Sequence, residues 1–422
     1  MKELSQTFLK LWRPQMSDWI ETEYGLIPFG WEVLKADKYC HKVTDGTHDS
    51  PKQVANGLPL ITSKHIKGRE IDIENAYHIS LDDYNKIIRR SKVDQWDVIV
   101  SMIGEYCGFC YIERNAIVEY AVKNVGIYKT LDEVKAKWLF YYLQSKTGRN
   151  VLEAQKTGTS QPYITLGSLR KLDIIAPKDP QISSAITEVL SSIDDKIDLL
   201  QRNSNTLESL GETFFKQMFI VEAQDSWEQT SFSTIANHVK VSINPAANPN
   251  QIYHHYSLPS YDHGKQPKHE FGSAILSNKY QVRSNQTLIS KLNPGTSRVW
   301  YIHEAENISV CSTEFQVFEA KEDAFREYIY FFLKSSDVTD TLSSAASGTS
   351  GSHQRVSPDL ITNLGLRRPD NLKVSAFSER TALLLAKINN NIKQIHQLES
   401  LRDTLLSKLM NGSVKLTEMA EA

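Results

Sequence analysis

The chain has 422 residues, 40% hydrophobic and 23% charged, which is the composition of ordinary globular domains and excludes a disordered chain. Its 48 Lys and Arg against 50 Asp and Glu leave a net charge of −2, so any nucleic-acid surface must be a local patch. The opening MKELSQTFLKLWRPQ mixes charges with apolar residues and has no apolar core of secretory length. The longest apolar runs, such as Trp138–Leu143, are far short of a membrane span, and four cysteines make no disulfide framework. A cytoplasmic protein of two to four structural units is expected at roughly 150 residues per domain.

In chain order, residues 1–24 form a polar segment with a few apolar positions (Phe8, Leu9, Leu11, Trp12). A mixed domain follows over 25–178, with short β-branched runs such as Asp97–Ile103, the aromatic helix Trp138–Leu143, a polar loop holding Gly158-Thr159-Ser160, and the short strand Leu172–Ala176. Asp179-Pro180 then reads as an N-cap with proline at the first helical position, which opens a long helix over 179–222. A second mixed domain spans 223–369, with the strand Thr287–Leu292, the aromatic run Tyr328–Leu333, Gly348-Thr349-Ser350 and the strand Asn363–Leu366. Asp370-Asn371 opens a second long helix, 370–416, for which Gly412 suits the C-terminus.

These elements are a duplication. GTS recurs at a shift of 190, the aromatic helix at 190, and Leu207-Glu208-Ser209-Leu210 as Leu398-Glu399-Ser400-Leu401 at 191, while Trp31-Glu32 pairs loosely with Trp227-Glu228. The period is far too long for a solenoid, so the unit is a domain plus linker. Both helices are heptad-like. Ile186, Ile193, Leu200, Leu207 and Phe214 recur every seven residues, with Ile182, Val189 and Leu210 as the companion row, interrupted at Lys196 and Asn203. In the second helix Leu385, Ile388, Ile392, Ile395 and Leu398 step by three and four and continue through Leu401 and Leu405. Narrow stripes of this length want a partner helix, although each could instead pack on its own domain. An antiparallel pair of about 40 residues each would make a rod of roughly 60 Å with the mixed domains at opposite ends.

Catalytic motifs are missing. There is no phosphate loop, no dinucleotide fingerprint, no H-E-x-x-H and no G-x-S-x-G, and Asn244-Pro245-Ala246 fails the amino-methyltransferase pattern at its third residue. Cys107-Gly108-Phe109-Cys110 reads as structural cysteines, with zinc binding (Cys40 and His41 being the nearest further ligands by type) and thiol redox as alternatives. No metal ligand set and no catalytic residue is assigned. Between Ser257 and His303, six basic residues (Lys265, Lys268, Lys279, Arg283, Lys291, Arg298) face two acids and are interleaved with aromatics, which reads either as a solvated face or as a DNA-reading one. Histidines 254, 255, 263, 269 and 303 cluster there without helical spacing. The GTS loops carry polar readers: Thr159, Ser160, Gln161 and Tyr163 in the first, and Ser350, Ser352, His353, Gln354 and Arg355 in the second.

At this point the residues resemble a known family, the specificity (S) subunit of type I restriction–modification systems. The resemblance rests on Ile27-Pro28-Phe29-Gly30-Trp31-Glu32-Val33, on Thr44-Asp45-Gly46-Thr47-His48 with Pro51, and on Gly158-Thr159-Ser160-Gln161-Pro162-Tyr163-Ile164. In the second half it rests on Tyr256-Ser257-Leu258-Pro259, Ile289-Ser290-Lys291-Leu292-Asn293-Pro294 with Arg298-Val299-Trp300, and Leu401-Arg402-Asp403-Thr404-Leu405-Leu406. The resemblance implies an α/β (α+β) chain of two tandem target recognition domains, each reading half of a split, asymmetric DNA site. The two helices would form an antiparallel coiled coil that sets the spacer and docks two methylation subunits. Restriction subunits would complete the complex. Adenosylmethionine, ATP and Mg would belong to those partners, with no cofactor in this chain. The second loop departs from the first, reading Gly351-Ser352-His353-Gln354-Arg355, and Ile61–Val93 has no counterpart in the second half. Lys64, His65 and Lys67 in that stretch are candidate DNA contacts, beside the loop residues above and Lys265, Lys291 and Arg298.

Overall fold

The computed structural model describes residues 18–158, 160–346 and 354–414. They form two compact units: residues up to Asp195 together with those from Leu398, and Lys196–Gln397.

The first unit is built on a four-stranded antiparallel sheet in the order Lys42–Asp45, Val125–Lys129, Asp97–Ser101, Cys110–Ile112. Its two central strands are buried throughout, and in Asp97–Ser101 this shows as the unbroken run Val98-Ile99-Val100. A three-stranded sheet lies beside it, with Leu58–Thr62 pairing antiparallel to His78–Ile79 and parallel to Ala121–Lys123. The aromatic helix Glu133–Gln144 is capped by the Asp132 carboxylate, which accepts from the Lys135 N–H, and it buries seven residues. Trp138 anchors it: its indole N–H donates to the Ile175 carbonyl at 3.0 Å and its ring meets Trp31 edge-on at 5.3 Å. Trp31–Lys35 pairs with Asp173–Pro177 beneath.

The second unit repeats this plan. Its four-stranded sheet runs Ala236–Val239, Phe315–Ala320, Gln286–Ser290, Val299–Ile302, the same order in the chain and in space. Glu228–Ser231 pairs with Gly365–Arg368 as the separate ladder, and Arg326–Lys334 is the aromatic helix. The second sheet is where the units part: it has five strands here, ordered Ser242–Ile243, Lys279–Gln281, Ser309–Cys311, Ile252–Tyr256, Lys268–Phe271.

The central helix is Pro180–Lys216, closed by a wider turn over Gln217–Val221, and the C-terminal helix is Asn371–Met410. Asp179 accepts from the Gln181 N–H at 2.9 Å and Asp370 from the Lys373 N–H at 2.8 Å, so each helix begins on the expected aspartate cap. Ile186, Ile193, Leu200, Leu385, Ile388, Ile395 and Leu405 are buried, and Leu207, Phe214, Ile392 and Leu398 are half-buried.

The companion row of the central helix is not the expected one. Ile182 and Leu210 are 42% and 40% exposed. The buried row is Ser183, Leu190, Ile197, Ser204 and Gly211, one residue further on. Two serines and a glycine in it hid its period from a reading of apolar residues. The small residues are there for close approach: a Cβ on Gly211 would lie 2.3 Å from the Phe331 ring. The C-terminal helix likewise buries polar groups in its stripe. Asn391 is fully buried and donates through Nδ2 to Asn203 Oδ1 at 2.9 Å and Ser204 Oγ at 3.1 Å.

Gly211→Ala therefore forces the helix off the Phe331 ring. We expect it to lower thermal stability by about 1–3 kcal/mol, the usual cost of overpacking, whereas alanine at the neighbouring exposed Leu210 changes it little. Calorimetric unfolding of the two variants checks the assignment of the row.

Candidate nucleic-acid interface

Each unit closes its polar loop with the same backbone clasp. In the first, the chain leaves the strand Asp97–Ser101 and turns at Gly104, whose φ is +83°. The Met102 N–H donates to the Asn124 carbonyl at 3.2 Å, the Ile164 N–H to Met102 at 2.8 Å, and the Gly104 N–H to Pro162 at 2.9 Å. Thr157 and Tyr163 exchange two backbone bonds of 2.9 Å, pinching off the loop that holds GTS. Gly158 starts that loop at φ +85°, where a Cβ would sit 2.8 Å from the Gln161 carbonyl. Thr165 then caps the helix Leu166–Lys171.

In the second unit the Lys291 N–H donates to Glu314 at 2.9 Å, the Val356 N–H to Lys291 at 3.0 Å, and the Asn293 N–H to Gln354 at 2.9 Å. Asn293 turns at φ +49°, and Ser357 caps the helix Pro358–Thr362. The donors and acceptors correspond at shifts of 189 to 192, so the clasp is part of the duplication.

The clasp presents Ser160, Gln161 and Tyr163 outward, with Tyr163 44% exposed. Thr159, Ser350, Ser352 and His353 lie outside the described residues. Gln354 is half-buried, and exposed Arg355 aims two guanidinium nitrogens at Glu314, both at 3.3 Å. Lys291 is half-buried within the clasp itself. Lys64 is exposed beside Ser63, whose hydroxyl donates to the Asn124 carbonyl at 2.7 Å, so it joins the same edge. Lys67 is exposed and paired with Asp72 at 2.7 Å, a bond that raises the Lys67 pKa.

Three expected contacts are corrected. His65 is only 2% exposed: its Nδ1 accepts from the Thr62 N–H at 3.0 Å as part of a helical cap, and burial lowers its pKa. It shapes the turn that carries Lys64. Lys265 is half-buried, 3.3 Å from Glu208 and over the Tyr261 ring at 5.3 Å. Arg298 is committed to Asp262 through two bonds of 2.7 and 3.1 Å. The basic stretch around them is accordingly not a free cationic face, because Lys279 is also buried, Lys268 pairs with Glu270, and Trp300 is in the core.

Sequence reasoning missed the buried carboxylates that tie the recognition bodies to the helices. In the first unit Asp194 accepts from the Tyr141 hydroxyl at 2.7 Å and pairs with Arg69 at 2.9 Å and Arg402 at 3.4 Å. In the second, Glu208 accepts from the Tyr330 hydroxyl and pairs with Lys334 at 2.9 Å and with Lys265. A charged residue within or beside an apolar heptad stripe was the available signal.

The cysteines carry no visible chemistry. Cys107 and Cys110 are buried, and burial raises both thiols, Cys110 to about 12. Among the described residues no cluster of three or more His, Cys, Asp or Glu is placed to hold a metal ion. No described helix is long and apolar enough to cross a membrane.

Residues 52–209 match the family model for the type I restriction modification DNA specificity domain. Along 94% of its length the chain is 22% identical to the specificity subunit of the type I restriction enzyme MjaIX of Methanocaldococcus jannaschii, covering 97% of that relative. The crystal structure of the type I restriction–modification S subunit from M. genitalium shares the fold, with a TM-score of 0.56 at 16% identity over 92% of this chain and 97% of that one. The chain therefore carries a match to the type I restriction modification DNA specificity domain over residues 52–209, and along its length it is similar to a type I specificity subunit.

Burial pushes the Glu208 carboxyl up, but Lys265, Lys334 and the Tyr330 hydroxyl outweigh it and hold it at about 2, below its ordinary 4.5. A depressed carboxyl stabilises the fold above its unfolded pKa and loses that contribution as pH falls toward the folded one. Stability on the order of 2 kcal/mol should therefore disappear between about pH 4.5 and 2. Glu208→Gln should flatten that segment of the curve, measured by denaturant unfolding across pH.

Proposed function

We propose that this chain is the non-catalytic, sequence-reading subunit of a type I restriction–modification complex, and that each mixed domain binds one half of a bipartite, asymmetric DNA site. The observation that carries the reading is the clasp built twice: three matching backbone bonds on the same strand order stand beside two loops of different sequence. Repetition of scaffold with divergence of the presented residues is what reading two unlike half-sites requires.

Recognition domains at 25–178 and 223–369, and spacer helices at 179–222 and 370–416, are the division we adopt. Antiparallel pairing of those helices is supported by one bond in each unit. Asn391 meets Asn203, and eleven residues later Arg402 meets Asp194, nine residues earlier. A coiled coil running that way would set the spacer and offer docking faces to two methylation subunits, with restriction subunits completing the assembly. The DNA contacts we assign are Lys64, Lys67, Ser160, Gln161, Tyr163, Lys291, Gln354 and Arg355, with Thr159, Ser350 and His353 in the same loops. Chemistry that needs adenosylmethionine, ATP or Mg would come from the partner chains. Cytoplasmic residence follows from that role.

The test is salt-dependent binding of the full chain, assembled with methylation subunits, to a duplex carrying the site found by mapping methylated adenines in the source genome. Replacing residues 25–160 with the first domain of another family member should change one half of the recognised sequence and leave the other intact. A change in both halves or in neither refutes the modular reading. Inserting seven residues into both helices lengthens the rod by about 10 Å, or about three base pairs. The spacer should grow by that amount while the half-site sequences stay the same, as read by methylation mapping.

A further inference from the structure

The first unit holds a second polar edge beside its clasp, made by the loop after the strand Lys42–Asp45. Asp45 is only 3% exposed, yet its carboxylate faces two exposed basic side chains. Arg90, at the end of the helix Leu81–Ser91, donates to Oδ1, and His48 lies 3.0 Å from Oδ2 through Nε2. The other ring nitrogen of His48 is 3.0 Å from Asn124 Oδ1, so the imidazole is fixed at both ends.

The loop itself has no freedom to shift. Gly46 N–H donates to Val125 at 2.8 Å, Thr47 N–H to Val122 at 3.0 Å and Asn124 N–H to Thr47 at 3.1 Å, and a Cβ on Gly46 would lie 2.3 Å from the Val122 carbonyl. Asp49, the one other acid of the loop, is turned back on Thr47, whose hydroxyl reaches it at 3.4 Å. Lys123 donates to Ser50 at 2.5 Å, adding an ammonium at the rim.

Asn124 links this edge to the clasp. Its side chain meets His48, while its carbonyl accepts from Met102 and from Ser63. Asn124 thus ties the loop that carries His48 to the residue from which the clasp starts.

We propose that Asp45, braced by His48 on its other oxygen, is a positioning residue that holds Arg90 pre-ordered for a phosphate of the DNA backbone at the first half-site. The guanidinium keeps further N–H donors beyond the one given to Asp45, which suits phosphate, and fixing it beforehand removes the ordering cost from binding. The device belongs to the first half-site, since the corresponding strand of the second unit, Ala236–Val239, ends on valine. The inference rests on the DNA reading above.

A purely Coulombic role and a positioning role predict opposite signs. Asp45→Asn removes a negative charge next to the DNA, so bulk electrostatics alone would tighten binding. Loss of positioning weakens it, by about tenfold for a charge-assisted guanidinium–phosphate contact. The experiment measures Kd against salt for the full chain assembled with methylation subunits, on duplexes with both half-sites intact or with the first scrambled. We expect Asp45→Asn to weaken binding about tenfold on the intact duplex and to make no difference on the scrambled one. The pair His48→Ala with Arg90→Ala should weaken binding similarly and lower the log–log salt slope by about one. Equal or tighter binding by Asp45→Asn, or an unchanged slope and affinity in the double variant, overturns the inference. If Asp45→Asn fails to fold, the double variant alone decides. A wild-type complex with no preference for the intact site refutes the DNA reading itself, and the inference with it.

Discussion

A helix of 37 residues with an apolar stripe cannot stand by itself in water, and everything else in the chain is arranged around that requirement. The stripe of the central helix is narrow because one of its rows places Ser183, Ser204 and Gly211 around Leu190 and Ile197. Small residues let other elements come close, and the tolerance is tight: the Phe331 ring fills the space over Gly211, and Phe215 meets Tyr328 and Phe377 at 5.3 and 6.0 Å. Because polar and charged groups also enter the stripe, position is fixed as well as burial. Fully buried Asn391 finds its donors' partners only when Asn203 and Ser204 are opposite, and Asp194 is compensated only when Arg69 and Arg402 both reach it. Such groups add little net stability over a well-packed hydrocarbon, but any slip along the helix strands them without partners.

Much of this was legible in the sequence, for a physical reason. Duplication writes the same backbone requirements twice, so the aromatic helices, the glycine that opens the first loop and the aspartate caps of both long helices could be found by matching one half against the other. One central strand of each four-stranded sheet was visible as a short apolar run, Asp97–Ser101 and Gln286–Ser290, because both of its faces are covered. The second heptad row was not visible, since Ser183, Ser204 and Gly211 carry no hydrophobic signal and their role is distance. The contact residues fared unevenly. Charge counts along Ser257–His303 suggested a basic face, yet a linear count cannot show that Arg298 folds back on Asp262 or that Lys265 reaches Glu208. His65 was misplaced for a similar cause: a histidine between two lysines looks exposed, while the capping geometry of Thr62 turns it inward.

The molecule separates what is kept from what varies. The four-stranded sheet, the two-stranded ladder, the aromatic helix and the clasp recur in both units with the same strand order and the same backbone bonds. The second sheet does not recur, having three strands in one unit and five in the other. Hydrogen bonds between backbone groups are indifferent to side chains, so a clasp made of them can hold a loop in one place while its residues change. That is the economy a reader of two unlike sequences needs. A near-neutral net charge fits the proposed role: acids offset the basic residues, many of them in direct pairs, so nonspecific attraction to phosphate stays weak and, on that proposal, discrimination falls to the few side chains that the clasps and their adjoining edges leave exposed.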